Sequence, residues 1–238
     1  MAEVGAPQAA CDVAHLGEPL KFLPYYADLA ESFEWTTPLG IADTVGGPAE
    51  RWTEREPIGV VAAITPWNVP TQINLAKTAP ALAAGCSVVL KPAPQTPWSA
   101  LALGRLVTEH TDIPPGVFNV ISAADPTIGA LLTEDPRVDM ISFTGSTATG
   151  KTIMRAAAEH VTKVFLELGG KSAMILLDDL DDVSGPAMTA AFGTALVCGQ
   201  GCALSTRILI PRSRYDETVT AIGELFGSIT PGPPTVEG

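Results

Sequence analysis

Three short segments carry side chains that together could pass a carbonyl group through a covalent thioester. Cys202 lies in a run of glycines and small residues, Glu167 precedes two glycines, and Asn68 lies between two prolines. A thiol is a nucleophile, a carboxylate is a general base, and a side-chain amide can donate to a developing oxyanion. The sequence therefore predicts thiol-based acyl chemistry, provided that the fold brings these distant segments together.

The surroundings of Cys202 favour a reactive thiol. Gly199, Gly201 and Ala203 leave its sulfur accessible to a substrate, and a helix terminus or nearby amide dipoles would favour the thiolate. An inert, buried cysteine is the alternative. Metal binding together with Cys198 is a further interpretation. No histidine is near either thiol in the sequence and two thiols alone make a poor zinc site, so we predict no metal site.

Glu167 and Asn68 each have a catalytic and an ordinary interpretation. Glu167 lies inside the apolar run 164–168, where a carboxylate is unfavourable unless it is paired or faces a cavity. We expect it to be buried at the site, where desolvation makes a carboxylate a stronger base. The alternative is an edge-strand glutamate that faces water. Two prolines make the segment of Asn68 rigid, although an ordinary Asn turn has the same local pattern.

Two further segments could hold an anionic cofactor. The run from Phe143 to Gly150 leads from a strand into a helix, and free N–H groups at a helix N-terminus bind phosphate. A hydroxyl N-cap followed by a structural glycine would give the same pattern. Lys91 ends a predicted strand, where its ammonium could donate to ribose hydroxyls. A solvated lysine at a turn is the alternative.

The apolar pattern places these residues on an α/β fold. From Pro57 onward short apolar runs alternate with helical segments, which predicts βαβ units and a parallel sheet covered on both faces. The predicted strands cover residues 60–64, 87–90, 117–121, 138–143 and 164–168. The predicted helices cover residues 16–33, 75–84, 99–109, 128–132 and 150–159.

A second α/β pattern starts after Gly170 and ends in a tail rich in proline and glycine. Its predicted strands are 173–177 and 207–210, and its predicted helices are 187–197 and 215–225. We predict a Rossmann-like dinucleotide-binding domain made of residues 1–35 and 57–168, a ribbon at 36–56, and the start of a second, catalytic α/β domain at 169–238.

Composition and charge exclude several classes of partner. The formal net charge of −12 disfavours nucleic acid and anionic membranes, because either would need a basic face. No apolar run approaches eighteen residues, so no membrane span is expected. The residues Met1–Val4 lack the features of a signal peptide, and four cysteines do not make a disulfide framework in a chain of this length. We expect a cytoplasmic protein.

The order and spacing of five motifs resemble the aldehyde dehydrogenase superfamily. The motifs are Pro66-Trp67-Asn68, Lys91-Pro92-Ala93, Phe143-Thr144-Gly145-Ser146, Glu167-Leu168-Gly169-Gly170-Lys171 and Gly199-Gln200-Gly201-Cys202. The resemblance implies that Cys202 is the nucleophile, Glu167 the general base and Asn68 the oxyanion donor. It also implies a nicotinamide dinucleotide site formed by Ile64, Thr65, Pro66, Trp67, Lys91, Gly129, Phe143, Gly145, Ser146, Gly150 and Leu168.

The expected function is the oxidation of a small-molecule aldehyde to a carboxylic acid through a thiohemiacetal and a thioester on Cys202. The cofactor would be NAD, with NADP possible, because Pro94 stands where relatives often carry a glutamate that repels a 2′-phosphate. The resemblance also implies that the ribbon 36–56 is an oligomerisation arm, so we expect a homo-oligomer or association with a full-length relative. The aldehyde, and the choice between water and coenzyme A for thioester release, stay open.

Length argues for a competing hypothesis. Compared with the family the chain is expected to be truncated at both ends, and the family's Glu-x-Phe-Gly-Pro segment is absent from the sequence. Without the rest of the catalytic domain, apolar surface of the sheet should be exposed. The alternative is therefore a catalytically incompetent remnant that binds a dinucleotide or associates with a full-length relative. A thiol acyltransferase without redox chemistry is a third interpretation.

Overall fold

A five-stranded parallel sheet is the centre of the computed structural model, which describes residues 3–234. Met1, Ala2 and residues 235–238 lie outside the described residues, so the predictions made for Met1–Val4 and for the ends of the first and last domains fall partly outside them. In chain order the strands are β1 Thr36–Thr44, β2 Gly47–Glu54, β3 Val60–Ile64, β4 Ser87–Lys91, β5 Phe118–Val120, β6 Met140–Gly145, β7 Lys163–Leu168, β8 Ala173–Ile175 and β9 Arg207–Leu209.

Helices connect the strands. They are α1 Gln8–Ala10, α2 Glu18–Leu20, α3 Phe22–Ser32, α4 Pro70–Ala83, α5 Trp98–His110, α6 Thr127–Glu134, α7 Thr147–Ala158, α8 Ser184–Ala195 and α9 Tyr215–Ser228. A π-helical segment, Cys11–Gly17, joins α1 to α2, and a short 3₁₀ turn, Arg212–Arg214, precedes α9.

The predicted α/β architecture is confirmed. The strand order is β5-β4-β3-β6-β7 and every pair is parallel. Ala62, Ile64 and Ile141 pack with Ile153 of α7, while Ala63 belongs to a second cluster with α5. The alternating strand residues are therefore buried on both faces, as the apolar runs predict. Because all five strands run in one direction, their carboxyl ends meet at one edge of the sheet.

The first helices differ from the single helix predicted for residues 16–33. Helical structure begins at Gln8, and a new helix, α3, starts after Lys21. Pro24 lies in the first turn of α3, where its missing N–H has no intrahelical partner in any case. Similarly, α4 begins at Pro70 rather than at the predicted residue 75, because proline is favoured at the first helical position.

Strands β1 and β2 form an antiparallel ribbon that belongs to neither of the other sheets. The pairing register shifts between Pro38 and Gly40, and Gly40 has a φ of 72°. Glycine adopts that left-handed conformation without strain. The two strands lie within the segment 36–56, and Ile41 and Trp52 are exposed on them.

A second, smaller unit follows the main sheet. The parallel strands β8 and β9 pack against α8 and α9 through Met174, Ile208, Ala187 and Ile222. Other apolar side chains of this segment are exposed, with fractional exposures of 65% for Ile175, 60% for Leu177 and 45% for Leu209. Among residues 3–234, no helix combines the length and apolarity that crossing a bilayer requires.

Candidate active site

Cys202, Glu167 and Asn68 line one cavity of about 360 Å³. Asn68 lies in the loop between β3 and α4, Glu167 is on β7, and Cys202 is in the loop between α8 and β9. The segment after β3 and the end of β7 lie at the carboxyl edge of the main sheet, while Cys202 belongs to the second unit. The structure thus brings together the thiol, the carboxylate and the amide that the sequence analysis singled out.

Asn68 is connected directly to the loop that carries Cys202. Its Nδ2 donates to the carbonyl oxygen of Gln200 at 2.6 Å. A side-chain amide has two N–H donors, so this bond leaves a second one for another acceptor. Asn68 therefore has two capacities: it can hold the Cys202 loop against the sheet and donate one hydrogen bond into the cavity.

Cys202 is exposed, and the buried inert cysteine of the alternative interpretation is therefore wrong. The chain reaches this residue through Leu196–Gly199, where Val197, Cys198 and Gly199 all have positive φ angles of 53°, 55° and 73°. This left-handed turn ends α8 two residues earlier than predicted and directs the following residues toward Asn68.

The predicted burial of Glu167 is wrong. β7 is an edge strand of the main sheet, and Glu167 is exposed on it. Edge strands leave one side without a neighbour, so the apolar run around Glu167 does not enclose it. The side chain nevertheless lines the Cys202 cavity and, on its other side, a larger cavity of about 630 Å³.

Lys77 lies in this larger cavity and was missed by the sequence analysis. It is buried, and its Nζ donates to Ser142 Oγ at 3.0 Å. Burial lowers the pKa of Lys77 to about 8, while the nearby Glu167 carboxylate raises it and only partly opposes that effect. The available signal was spacing: Lys77 follows Ile73 by four residues on α4, which places both on one helical face.

Thr144 occupies the boundary between the two cavities. It pairs with Glu167 in the register of β6 and β7 and lines both cavities. Its hydroxyl is buried and has no hydrogen-bond partner within the described chain. Since buried hydroxyls are normally paired, the orphaned group indicates that water or a ligand completes this site.

Lys91 is buried, so the interpretation as a solvated lysine at a turn is wrong. Its Nζ donates to the carbonyl oxygen of Pro92 at 3.1 Å, and burial lowers the pKa of the ammonium. A Cβ placed on Gly129 would lie 3.5 Å from Lys91 Cε. Lys91 and Gly129, predicted separately for a cofactor site, therefore face each other. An ammonium has three donors, so the side chain can serve further acceptors such as ribose hydroxyls.

The turn before α7 has a hydroxyl N-cap, which is the alternative to a phosphate site that the sequence allowed for this segment. Ser146 Oγ accepts a hydrogen bond from the backbone N–H of Thr149 at 3.2 Å, and α7 begins at Thr147 rather than at Gly150. Gly150 is a packing glycine, because a Cβ there would lie 2.9 Å from Leu168 Cδ2. The remaining N–H groups of this helix terminus still point along the axis toward the sheet edge, where an anion would be stabilised.

The other residues predicted for the cofactor fall into two groups. Ile64, Thr65 and Phe143 are buried at the ends of β3 and β6. Five line the Cys202 cavity, namely Pro66, Trp67, Gly145, Ser146 and Leu168. Within residues 3–234, no group of three or more His, Cys, Asp or Glu side chains could hold a metal ion.

Comparisons with known proteins agree on one family. The model of the aldehyde dehydrogenase family matches residues 1–238. A putative aldehyde dehydrogenase of Staphylococcus saprophyticus is 38% identical over 236 residues, which are 99% of this chain and 47% of the relative. The chain thus spans about half the length of such relatives.

Two solved structures resemble the fold closely. An aldehyde dehydrogenase of Mycobacterium tuberculosis complexed with NAD+ superimposes with a TM-score of 0.86 and 41% identity, covering 98% of this chain and 47% of that one. An NADP-dependent enzyme of E. coli gives a TM-score of 0.89 and 34% identity, with the same coverage of the two chains.

Proposed function

The chain belongs to the aldehyde dehydrogenase family, and we propose that it oxidises a small-molecule aldehyde to a carboxylic acid with NAD as the hydride acceptor. The observation that carries this proposal is the single cavity lined by Cys202, Glu167 and Asn68. Oxidoreductases of this type need a nucleophile, an oxyanion donor and a base around one carbon, and the cavity provides one of each.

In the proposed reaction the Cys202 thiolate attacks the aldehyde carbon and forms a thiohemiacetal. The developing oxyanion accepts a hydrogen bond from the Asn68 amide, whose other N–H is held by the Gln200 carbonyl. Because that bond fixes the amide beforehand, little reorganisation is needed when the negative charge develops. The backbone N–H of Cys202 is the second proposed donor.

Glu167 is the proposed base for hydrolysis of the resulting thioester. It removes a proton from a water molecule, which then attacks the acyl carbon and releases the acid and the Cys202 thiol. Glu167 lines both cavities. The acyl group on Cys202 would lie in the Cys202 cavity, and water would reach Glu167 from the larger one. Release to coenzyme A instead of water would not require this proton transfer, so Glu167 variants distinguish the two routes.

The cofactor would lie at the carboxyl edge of the main sheet, where parallel sheets commonly bind dinucleotides. Lys91 and Gly129 would hold a ribose, and the terminus at Ser146 would hold the pyrophosphate. Trp67 lines the Cys202 cavity. The buried Lys91 ammonium, with one backbone acceptor, fits a partner rich in hydroxyls. A bound nicotinamide would supply the hydride acceptor for oxidation of the thiohemiacetal to the thioester. NADP is an alternative cofactor because Pro94 carries no charge to repel a 2′-phosphate.

A second candidate is a catalytically incompetent chain that binds a dinucleotide or associates with a full-length relative. The exposure of apolar residues on β8 and β9 favours it. In either case we propose a cytoplasmic protein, with the ribbon formed by β1 and β2 as the surface for homo-oligomers or for the relative.

The test is an assay of the purified protein with NAD and NADP over a panel of aldehydes, with Cys202→Ser as the control. We expect reduced dinucleotide to form with the parent protein and none with the variant. Equal activity in the two proteins would refute the mechanism. Dinucleotide binding by calorimetry without turnover would support the incompetent chain, and the absence of any dinucleotide binding would favour a thiol acyltransferase.

A further inference from the structure

Two exposed thiols share the loop that carries the proposed nucleophile. Cys198 and Cys202 are separated by Gly199, Gln200 and Gly201, and both are exposed, whereas Cys11 and Cys86 are buried. The mechanism proposed above uses Cys202 and leaves Cys198 without a role. Exposed cysteines react with oxidants far more readily than buried ones. Both thiols of this loop are therefore open to oxidation.

The backbone that leads into Cys198 forms a tight, strained turn. Val197 and Cys198 have φ/ψ angles of 53°/35° and 55°/33°, a left-handed conformation that is disfavoured for side chains with a Cβ and most of all for β-branched ones. Each such residue therefore stores backbone strain. The N–H of Gln200 donates to the carbonyl oxygen of Val197 at 3.1 Å, so the chain doubles back just after Cys198.

This geometry lets Cys198 approach Cys202 by local rotation. The Sγ of Cys198 donates one weak hydrogen bond, to the carbonyl oxygen of Gly5 at 3.9 Å. This contact holds the side chain only loosely. A disulfide requires Cα atoms about 4.4–6.8 Å apart, and three intervening residues, two of them glycines, can be compressed to that span. Movement of Val197 and Cys198 out of the left-handed region would release strain rather than create it.

We propose that Cys198 is a resolving thiol that forms a reversible disulfide with Cys202 under oxidation, and this regulation rests on the proposed role of Cys202 as nucleophile. Hydrogen peroxide is the oxidant. The Cys202 thiolate attacks one peroxide oxygen and forms a sulfenic acid as hydroxide leaves. The Cys198 thiol then attacks the Cys202 sulfur, a disulfide forms and water leaves. Both thiols are oxidised and one peroxide is reduced to two waters.

The disulfide would switch the site off and protect it. A sulfur bonded to Cys198 cannot attack a carbonyl, so the oxidised protein is inactive until a reductant restores the thiols. Sulfenic acid that is not resolved continues to sulfinic acid, which thiol reductants do not reverse. Cys198 therefore converts permanent damage at Cys202 into a reversible inhibition.

Mass spectrometry of the tryptic peptide 172–207 tests the proposal, because that peptide contains both thiols and no internal lysine or arginine. The parent protein, Cys198→Ser and Cys86→Ser are treated with hydrogen peroxide, alkylated and digested. We expect the peptide of the parent and of Cys86→Ser to become about 2 Da lighter and to resist alkylation, with full recovery of both thiols in dithiothreitol. In Cys198→Ser we expect about 32 Da to be gained irreversibly at Cys202.

One result would overturn the proposal. In it, Cys202 of the parent protein forms sulfinic acid as fast as in Cys198→Ser, and Cys198 of the parent protein is still alkylated. The readout is chemical and does not depend on turnover. A protein that forms the disulfide but oxidises no aldehyde would refute the proposed function alone, and an active protein without the disulfide would refute the resolving thiol alone.

Discussion

Asn68→Ala tests the double role of the amide in the proposed mechanism. The substitution removes the hydrogen bond to the Gln200 carbonyl, whose donor and acceptor are 2.6 Å apart, and it also removes the second N–H proposed for the oxyanion. These two losses act on different quantities. The first lowers the free energy of unfolding, and the second raises the activation barrier.

The two magnitudes are separable. Loss of one hydrogen bond of this kind lowers the free energy of unfolding by about 1 kcal/mol, which leaves a domain of ordinary stability folded. Loss of one preorganised oxyanion donor reduces kcat by about 100- to 1,000-fold, or about 3–4 kcal/mol in the barrier. We therefore expect a large fall in rate with a small fall in stability.

The assay uses 4-nitrophenyl acetate as well as an aldehyde, because transfer of an activated acyl group to a thiol forms an oxyanion without any dinucleotide. Denaturant unfolding gives the stability. Asn119→Ala is the matched control: its Nδ2 donates to the carbonyl oxygens of Gly116 at 2.7 Å and of Val88 at 3.4 Å, away from the Cys202 cavity. We expect the control to lose similar stability and no activity. An Asn68→Ala protein with more than a third of the parental acylation rate would refute the assignment.

Three further predictions concern charge, packing and cofactor choice. The folded pKa of Lys77 is lowered to about 8 from 10.5, so the unfolded chain binds more protons between these values and stability should rise by about 2 kcal/mol from pH 8 to pH 10. Denaturant titrations at pH 8 and 10 should show no such rise in Lys77→Met. Gly150→Ala should lower the free energy of unfolding by about 1–3 kcal/mol, because its Cβ would lie 2.9 Å from Leu168 Cδ2. Gly223→Ala, whose Cβ meets nothing within 4 Å, should gain about 0.5–1 kcal/mol on the same denaturation assay. Pro94→Glu should weaken NADP binding about tenfold relative to NAD in calorimetry through like-charge repulsion, whereas Pro94→Gln should not.

Segments whose signals are local were predicted well from the sequence. The apolar runs at β3, β4 and β6 alternate with helices, and that pattern alone indicates a parallel sheet because both strand faces must be covered. The ribbon of β1 and β2 was also anticipated from its glycines and prolines. Helix starts were predicted less well: Pro70 begins α4 and Pro24 lies in the first turn of α3, because a proline in a sequence can mark either the start or the end of a helix.

The environment of individual side chains could not be predicted locally. Glu167 was expected to be buried because its neighbours in the chain are apolar, yet the strand order puts β7 at the edge of the sheet. Lys77 was overlooked because nothing within α4 shows that Ser142 and Glu167 of other strands face the same space. Lys91 is buried rather than solvated for a similar reason: β4 is an inner strand, flanked by β3 and β5.

The sequence by itself determined the chemical groups, the family and the α/β order of elements, since residue type and apolar periodicity act over a few neighbouring positions. Only the tertiary structure decided that Asn68 binds the Cys202 loop, that Glu167 faces two cavities, and that Lys77 is a buried cation. Those properties depend on which strands become neighbours and on how the left-handed turn at Val197 directs the chain. Both are set by packing between segments that are far apart in the sequence.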